Sequence, residues 1–199
     1  MKLILIAGVE DSGKDTILEM VLQGSKKKLP KFDYVKFDDL VFKKPRSVSS
    51  RFGHRALAES IEFSENIDQI IKARQDIYTK LEKKVKVNLK AKKFVVVNGY
   101  FTMKTLRGYV PIISEQFFKT FKPEMIILME ADASARNRSM LKRGLDYIEA
   151  TRLQQEINRN YASLYASSTD AVLRIIKVRH GDIKTAITQL RDTLSFAMK

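Results

Sequence analysis

The chain has no cysteine and only two histidines, His54 and His180. Without cysteine it can form no disulfide, zinc–thiolate site or cysteine nucleophile, and two histidines are too few for a histidine-rich metal site. No apolar run approaches the roughly 20 residues that span a bilayer. The apolar stretch from Met1 to Ala7 is only about one strand long, which is shorter than the core of a signal peptide. We therefore expect a soluble, intracellular protein without a membrane segment.

Acidic residues are scarce, with 23 Asp and Glu against 37 Lys and Arg, which gives a net charge of +14. An excess of positive charge favours anionic partners, here nucleotide phosphates or nucleic acid. We interpret part of the excess as solvated helix surface, because residues 26–28 and the lysines between positions 83 and 93 form charge runs. The length of 199 residues and a hydrophobic content of 44% predict one globular domain over residues 1–199.

Strand and helix patterns alternate along the chain. Short apolar or alternating runs predict strands at 2–7, 32–37, 94–97, 125–129 and 172–178. Apolar residues at helical spacing predict helices at 14–23, over much of 38–93, and at 133–143, 146–166 and 183–196. This alternation indicates βαβ units, which build a parallel sheet with helices on both faces.

One glycine-rich turn follows the first strand directly and precedes the first helix. It reads Gly8-Val9-Glu10-Asp11-Ser12-Gly13-Lys14-Asp15-Thr16 and satisfies the pattern Gly-x4-Gly-Lys. The two glycines let successive backbone N–H groups converge on phosphate oxygens, and the helix adds its positive N-terminal end. Lys14 then reaches the β and γ phosphates of a nucleotide. All nine residues are therefore predicted to bind the phosphates of ATP.

The residue after the lysine departs from the general pattern. Ser or Thr is usual there, and its hydroxyl contacts Mg²⁺. Here Asp15 occupies that position, and the hydroxyl comes one residue later, at Thr16. Two roles for Asp15 stay open: it contacts the metal through water, or it favours the helix as an acid in its first turn. The motif and the element order together predict an α/β fold of the P-loop NTPase type, with three layers and about five parallel strands.

Further stretches resemble one family of P-loop proteins. Residues 95–101, Val-Val-Val-Asn-Gly-Tyr-Phe, resemble the third-strand signature of adenylate kinases, an apolar run that ends in Asp-Gly-Phe. Residues 103–111, Met-Lys-Thr-Leu-Arg-Gly-Tyr-Val-Pro, resemble the Ile-Lys-Thr-Pro-x-Gly-Tyr-Leu-Pro stretch of archaeal adenylate kinases, and residues 157–162 resemble a later stretch of the same family. With the glycine-rich turn these matches are collinear over nearly the whole chain.

This resemblance implies a cytoplasmic kinase that uses Mg²⁺ and ATP to phosphorylate AMP, is often trimeric, and closes a short lid, here at about residues 136–148. Carried over by position, Lys104 would lie near the acceptor phosphate and Arg159 would face the transferring group. Arg136, Arg138 and Arg143 would lie on or beside the lid. The implied catalytic set is Lys14, Lys104, Arg138 and Arg159. Phosphoryl transfer needs such cations because negative charge spreads over the transferred group. No side chain is predicted to bind the metal directly, since phosphates and water would hold it.

Three departures weaken AMP specificity more than ATP binding. Asn98 stands where the family has an acid that orders magnesium through water, which should lower metal affinity. Ile67 and Ile71 stand where the archaeal pattern has arginines that precede the AMP-binding helix, and Arg51, Arg55, Lys72 and Arg74 are candidates to replace them. The lid also looks short.

Two other interpretations therefore stay open. The first is a divergent ATP-binding paralogue with another acceptor. The second is an RNA-associated or regulatory protein with little kinase turnover. Nucleic acid ranks second as a partner, because no basic motif interleaved with aromatic residues is present for stacking on bases.

Overall fold

A computed structural model describes residues 2–9, 12–24, 29–41, 66–91, 94–134 and 141–199. Within these ranges the first half of the chain contains β1 (Lys2–Gly8), α1 (Lys14–Gly24), β2 (Asp33–Lys36), α2 (Asp38–Val41), α3 (Ile67–Ala91) and β3 (Phe94–Gly99). The second half contains β4 (Thr102–Thr105), β5 (Gly108–Pro111), α4 (Glu115–Phe121), β6 (Met125–Ala131), α5 (Leu145–Thr169), β7 (Val172–Val178) and α6 (Ile183–Ala197).

Five strands form one parallel sheet in the order β2-β3-β1-β6-β7. The central strand, β1, pairs with β3 on one side, where Ile6 is opposite Asn98, and with β6 on the other, where Ala7 is opposite Leu128. Because both faces of such a sheet are covered, its inner strands are continuous apolar runs. β1, β3 and β6 show this: nearly all of their residues are buried. The predicted parallel sheet of about five strands is confirmed.

Helices cover both faces of the sheet, which makes three layers. α3, α4 and α5 pack with the first face in a core that includes Ile77, Phe117 and Tyr165. α1 and α6 pack with the second face in a core that includes Ile17 and Leu190. None of the helices in the described ranges is both long enough and apolar enough to cross a membrane.

The element predictions agree with the structure except for two omissions. The five predicted strands and the helices at 14–23, 146–166 and 183–196 are confirmed, with ends that differ by at most three residues. The antiparallel hairpin β4–β5 and the short helix α4 were not expected. Each hairpin strand has only four residues and mixed burial, so no apolar run or alternation marks it. Residues 42–65, inside the predicted helical region, and most of the predicted helix 133–143 lie outside the described residues.

The topology gathers several loops at one edge of the sheet. Since the main-sheet strands are parallel, the carboxyl ends of β1, β3, β6 and β7 all lie at this edge. The strands that follow β1 in sequence, β2 and β3, lie on one side of it, and the later strands β6 and β7 lie on the other, so the strand order changes direction at β1. Ligands of open α/β sheets bind at the carboxyl edge beside such a switch point. The glycine-rich turn after β1 occupies that position.

Candidate phosphate-binding site

The turn from β1 to α1 depends on both of its glycines. A Cβ atom on Gly8 would lie 2.7 Å from the carbonyl oxygen of Met129 and 2.8 Å from the Ser12 hydroxyl oxygen. Such contacts are too short for any side chain, so only glycine lets β1 approach β6 this closely. Gly13 has a φ of +74°, which favours glycine for a different reason. Between them, Glu10 and Asp11 lie outside the described residues.

The turn encloses a cavity of about 380 Å³ at the first turn of α1. Its lining consists of six turn residues and one aromatic ring: Val9, Ser12, Gly13, Lys14, Asp15, Thr16 and Tyr100. The Ser12 hydroxyl is buried and has no hydrogen-bond partner among the described residues. Buried polar groups without a partner are uncommon and costly. An anion in this cavity would give the hydroxyl an acceptor.

Lys14 is the central charged group of the cavity. Only 3% of its surface is exposed, and a buried ammonium is costly unless it is paired and hydrogen-bonded. Its Nζ donates to Asn98 Oδ1 at 2.7 Å and to Asp15 Oδ1 at 2.9 Å. It also lies 4.7 Å from the centroid of the Tyr100 ring, within the range of a cation–π contact. The ammonium is therefore held at a fixed place before any ligand arrives.

Asn98, at the end of β3, connects three of these groups. Its Nδ2 donates to Asp15 Oδ1 at 2.5 Å and to the Tyr34 hydroxyl oxygen at 2.8 Å, while its Oδ1 accepts from Lys14. Burial acts to raise the pKa of Asp15. The Lys14 ammonium and the hydrogen bonds from Asn98 and Lys14 outweigh burial, with a smaller contribution from Lys36, so the pKa of Asp15 falls below its ordinary value. Asp15 is thus a carboxylate at neutral pH.

Arg159 on α5 forms a bidentate ion pair with Glu130 near the end of β6. Its Nε donates to Glu130 Oε1, and its Nη2 donates to Glu130 Oε2 at 2.8 Å. The Glu130 side chain is 3% exposed and that of Arg159 is 45% exposed. The hydrogen bond to Glu130 is the main reason that the pKa of Arg159 is raised. The pair therefore fixes the guanidinium while leaving part of it open to a ligand.

A second cavity, of about 650 Å³, begins beside the first. Its wall is formed by the segment after β6, by α5 and by the end of β7: Glu130, Ala131, Asp132, Ala133, Ser134, Arg152, Gln155, Arg159, Lys177, Val178, Arg179 and His180. A Cβ atom on Gly13, which lines the first cavity, would lie 3.5 Å from Val178 Cγ1, which lines the second. The two cavities therefore adjoin.

The other predicted site residues are distributed more widely. Lys104 is an exposed residue of β4, opposite Tyr109 in the hairpin. The hairpin is tied to α5 because Thr102 Oγ1 donates to Asn158 Oδ1 at 2.7 Å, so Lys104 and Arg159 belong to elements in contact. Arg143 donates to the Tyr147 hydroxyl oxygen at 2.6 Å, at the start of α5.

Several predictions fall where the structure gives no placement. Arg136 and Arg138 of the lid and the candidates Arg51 and Arg55 all lie outside the described residues. Ile67 and Ile71 are exposed on the first turns of α3, where Lys72 is also exposed and Arg74 is partly buried.

The sequence interpretation missed three residues of the site. Tyr34 and Tyr100 contact Asn98 and Lys14, and Glu130 holds Arg159. Glu130 carried a usable signal, because an acid directly after the apolar run 125–129 stands at the carboxyl edge of a predicted strand. The two tyrosines carried none, since the contact of Tyr34 arises only when β2 pairs with β3 and that of Tyr100 only when β3 pairs with β1.

The fold and the site together define a class. A parallel α/β sheet whose central strand leads through a Gly-x4-Gly-Lys turn into a helix, with a fixed lysine in the enclosed cavity, is the arrangement of P-loop nucleotide-binding proteins.

Comparisons with known proteins narrow this class. A family model described as an AAA domain matches residues 7–154. The adenylate kinase of Pyrococcus abyssi is 29% identical over 206 residues, which cover 98% of this chain and 96% of that protein. The adenylate kinase of Methanothermobacter thermautotrophicus is 23% identical over 207 residues, which cover 98% of this chain and 100% of that protein. Among solved structures, the thymidylate kinase of Candida albicans is similar in fold, with a TM-score of 0.54 at 17% identity, over 98% of this chain and 91% of that one.

The protein belongs to the AAA domain family. Over nearly its whole length it is similar to archaeal adenylate kinases at 23% and 29% identity, as a divergent member of that type would be.

The close approach at Gly8 leads to a first test. We expect Gly8→Ala to cost about 1–3 kcal/mol of unfolding free energy, the usual cost of overpacking, and to abolish ATP binding because the turn must open to relieve the contact. Chemical denaturation and calorimetric titration measure the two effects. Gly24→Ala is the matched control, since a Cβ there meets nothing within 4 Å. A Gly8→Ala protein that binds ATP and unfolds like the parent contradicts this account of the turn.

Proposed function

We propose that this protein is a nucleoside monophosphate kinase that transfers the terminal phosphoryl group of ATP to AMP, giving two ADP. The observation that carries the proposal is the Lys14 ammonium, buried and fixed by Asn98, Asp15 and Tyr100 in the cavity of the glycine-rich turn. A fixed cation costs no reorganisation when negative charge builds up beside it. The similarity to archaeal adenylate kinases over 98% of the chain supports AMP as the acceptor to test first.

The two adjoining cavities fit the two parts of the donor. The smaller one, about 380 Å³, has Lys14, the unpartnered Ser12 hydroxyl and the N-terminal end of α1, all suited to phosphates. The larger one, about 650 Å³, has room for a nucleoside and mixes apolar with polar walls. We place the phosphates of ATP in the first cavity and its nucleoside in the second.

The transfer step needs positive charge around the moving group rather than covalent chemistry by the protein. Arg159 suits this role because its bond to Glu130 uses Nε and Nη2 and leaves Nη1 available. A guanidinium held from behind by a buried carboxylate is preorganised for an anion in front of it. We assign Lys104 to the acceptor phosphate and Arg138 to the closed lid, as the family resemblance implies.

Magnesium would accompany ATP and be held mainly by the phosphates and by water. Mg²⁺ is usually bound through one or two carboxylates plus substrate phosphates, and Asp15 supplies one carboxylate at the cavity wall. The trimeric assembly, the cytoplasmic location, the single domain over residues 1–199 and the lid at about 136–148 stay predictions. Nucleic-acid binding also stays a prediction.

The activity is tested with a coupled assay for ADP formation, using magnesium, ATP and each nucleoside monophosphate in turn. We expect AMP to raise turnover well above the background with ATP alone. Lys14→Ala should abolish this turnover, because Lys14 is the one cationic side chain among the described residues that line this cavity. Lys31→Ala, at an exposed position outside the site, is the control and should behave as the parent.

The outcome of this assay decides both the acceptor and whether the protein is a kinase. Turnover with a monophosphate other than AMP would keep the reaction class and change the acceptor. No turnover with any monophosphate would overturn the proposed kinase activity.

The role of Arg159 is tested with Arg159→Lys. Lysine keeps a charge for Glu130 but loses the bidentate fork and the free guanidinium nitrogen, whereas alanine would leave a buried carboxylate unpaired. We expect kcat to fall about 100-fold or more, as for the loss of one charge-stabilising donor, with an unchanged Kd for ATP. Arg191→Lys, on the surface of α6, is the control. An unchanged kcat would remove Arg159 from the transfer step.

A further inference from the structure

Asp15 occupies the position in the loop from which a hydroxyl ordinarily reaches the metal. In the general Gly-x4-Gly-Lys pattern the next residue is Ser or Thr, whose oxygen lies on Mg²⁺. In this chain that residue is an acid, on the first turn of α1 and in the wall of the phosphate cavity. A carboxylate oxygen is a harder and more strongly charged ligand for Mg²⁺ than a hydroxyl.

The hydrogen bonds of Asp15 leave one of its oxygens available. Oδ1 accepts from both Lys14 Nζ and Asn98 Nδ2. Within the described parts of the chain, Oδ2 accepts from no donor. The side chain is therefore anchored through one oxygen and presents the other, which is the arrangement of a carboxylate fixed for a cation.

The anchoring of the Asp15 carboxylate requires an amide at position 98. Its Oδ1 accepts from Lys14, and the two hydrogens of its Nδ2 go to Asp15 and Tyr34, so every polar group of the amide has a partner. An aspartate at position 98 would instead place a second carboxylate oxygen about where Nδ2 now lies, 2.5 Å from Asp15 Oδ1. Two carboxylates that share a site repel each other, and one of them tends to take up a proton. An acid at 15 and an amide at 98 are therefore coupled choices.

We propose that Asp15 supplies the protein carboxylate that binds the divalent cation of the ATP complex, with Asn98 as the residue that positions it. The inference rests on the proposed binding of ATP in this cavity. No three acidic or histidine side chains gather within the described ranges, so the cation depends on the phosphates and on water for its other ligands. The negative charge of the metal site is thus moved from the end of β3 to the first turn of α1.

The Asp15 carboxylate should make the affinity for ATP depend on the presence of a divalent cation. Without a cation, the Asp15 carboxylate faces the phosphates of ATP and repels them. With a cation, the same carboxylate attracts the complex. The ratio of the ATP dissociation constant in EDTA to that in excess Mg²⁺ should therefore be large in the parent protein and should depend on Asp15.

Calorimetric titration of ATP in EDTA and in excess Mg²⁺ measures this ratio. We expect Asp15→Asn to lower it about 10- to 100-fold, the usual effect of losing a residue that supports a metal site, with tighter binding of metal-free ATP. Asp15→Ser, which restores the common hydroxyl, is a second variant with the same expected direction. Asp192→Asn, on the surface of α6, is the control and should keep the parent ratio. Thermal unfolding of each variant checks that it is folded.

The most decisive test is the double variant that exchanges the two residues, Asp15→Asn with Asn98→Asp. Asn98→Asp alone should weaken binding of the metal complex, because it brings two carboxylates together. Combined with Asp15→Asn it should restore most of the parent ratio, since the acid and the amide have only changed places. The inference is overturned if Asp15→Asn and Asp15→Ser keep the full ratio while ATP binds. If the parent protein binds ATP in neither condition, the proposed function itself fails, and the inference fails with it.

Discussion

A buried ammonium is stable only where partners of opposite charge or polarity compensate its charge. This constraint organises the site around Lys14. The ammonium is 3% exposed, and its partners are an amide oxygen, a carboxylate oxygen and the face of an aromatic ring. These partners come from the first turn of α1 and from the end of β3. The position of one cation therefore depends on the pairing of β1 with β3 and on the turn that joins β1 to α1.

The same dependence extends outward through the sheet. β3 can bring Asn98 to Lys14 because its register with β1 places Asn98 opposite Ile6, two residues before the turn. β2 then brings Tyr34 to the other side of Asn98. On the far side of β1, β6 carries Glu130 to Arg159. Polar side chains thus stand at the carboxyl edge on both sides of the central strand, where buried parallel strands place the ends of apolar runs close together.

Much of this architecture could be predicted from residue patterns. Long apolar runs such as those of β1, β3 and β6 are typical of buried parallel strands, and the turn from Gly8 to Thr16 has a spacing that only a narrow set of structures uses. The hairpin β4–β5 could not be predicted, because its four-residue strands are stabilised by contacts with α5 rather than by their own pattern.

Of the site, only the glycine-rich turn and Lys14 could be predicted from the sequence. Lys14 and its turn follow from local sequence, whereas the amide role of Asn98 depends on a neighbour 83 positions away. Sequence alone indicated that Asn98 weakens the metal site, because the acid of the family is missing there. The structure shows that the Asp15 carboxylate lies within hydrogen-bond distance of that amide. This contact could not be predicted because the two residues are far apart in the sequence.

The central claim is that this protein recognises its ligand by the phosphates. The most direct measurement is a pair of calorimetric titrations at the same protein concentration, one with ATP and magnesium and one with adenosine. The account predicts a saturable binding heat for ATP and none for adenosine over the same concentration range. Equal affinities for the two ligands would contradict it, because binding would then owe nothing to Lys14 and the turn around it.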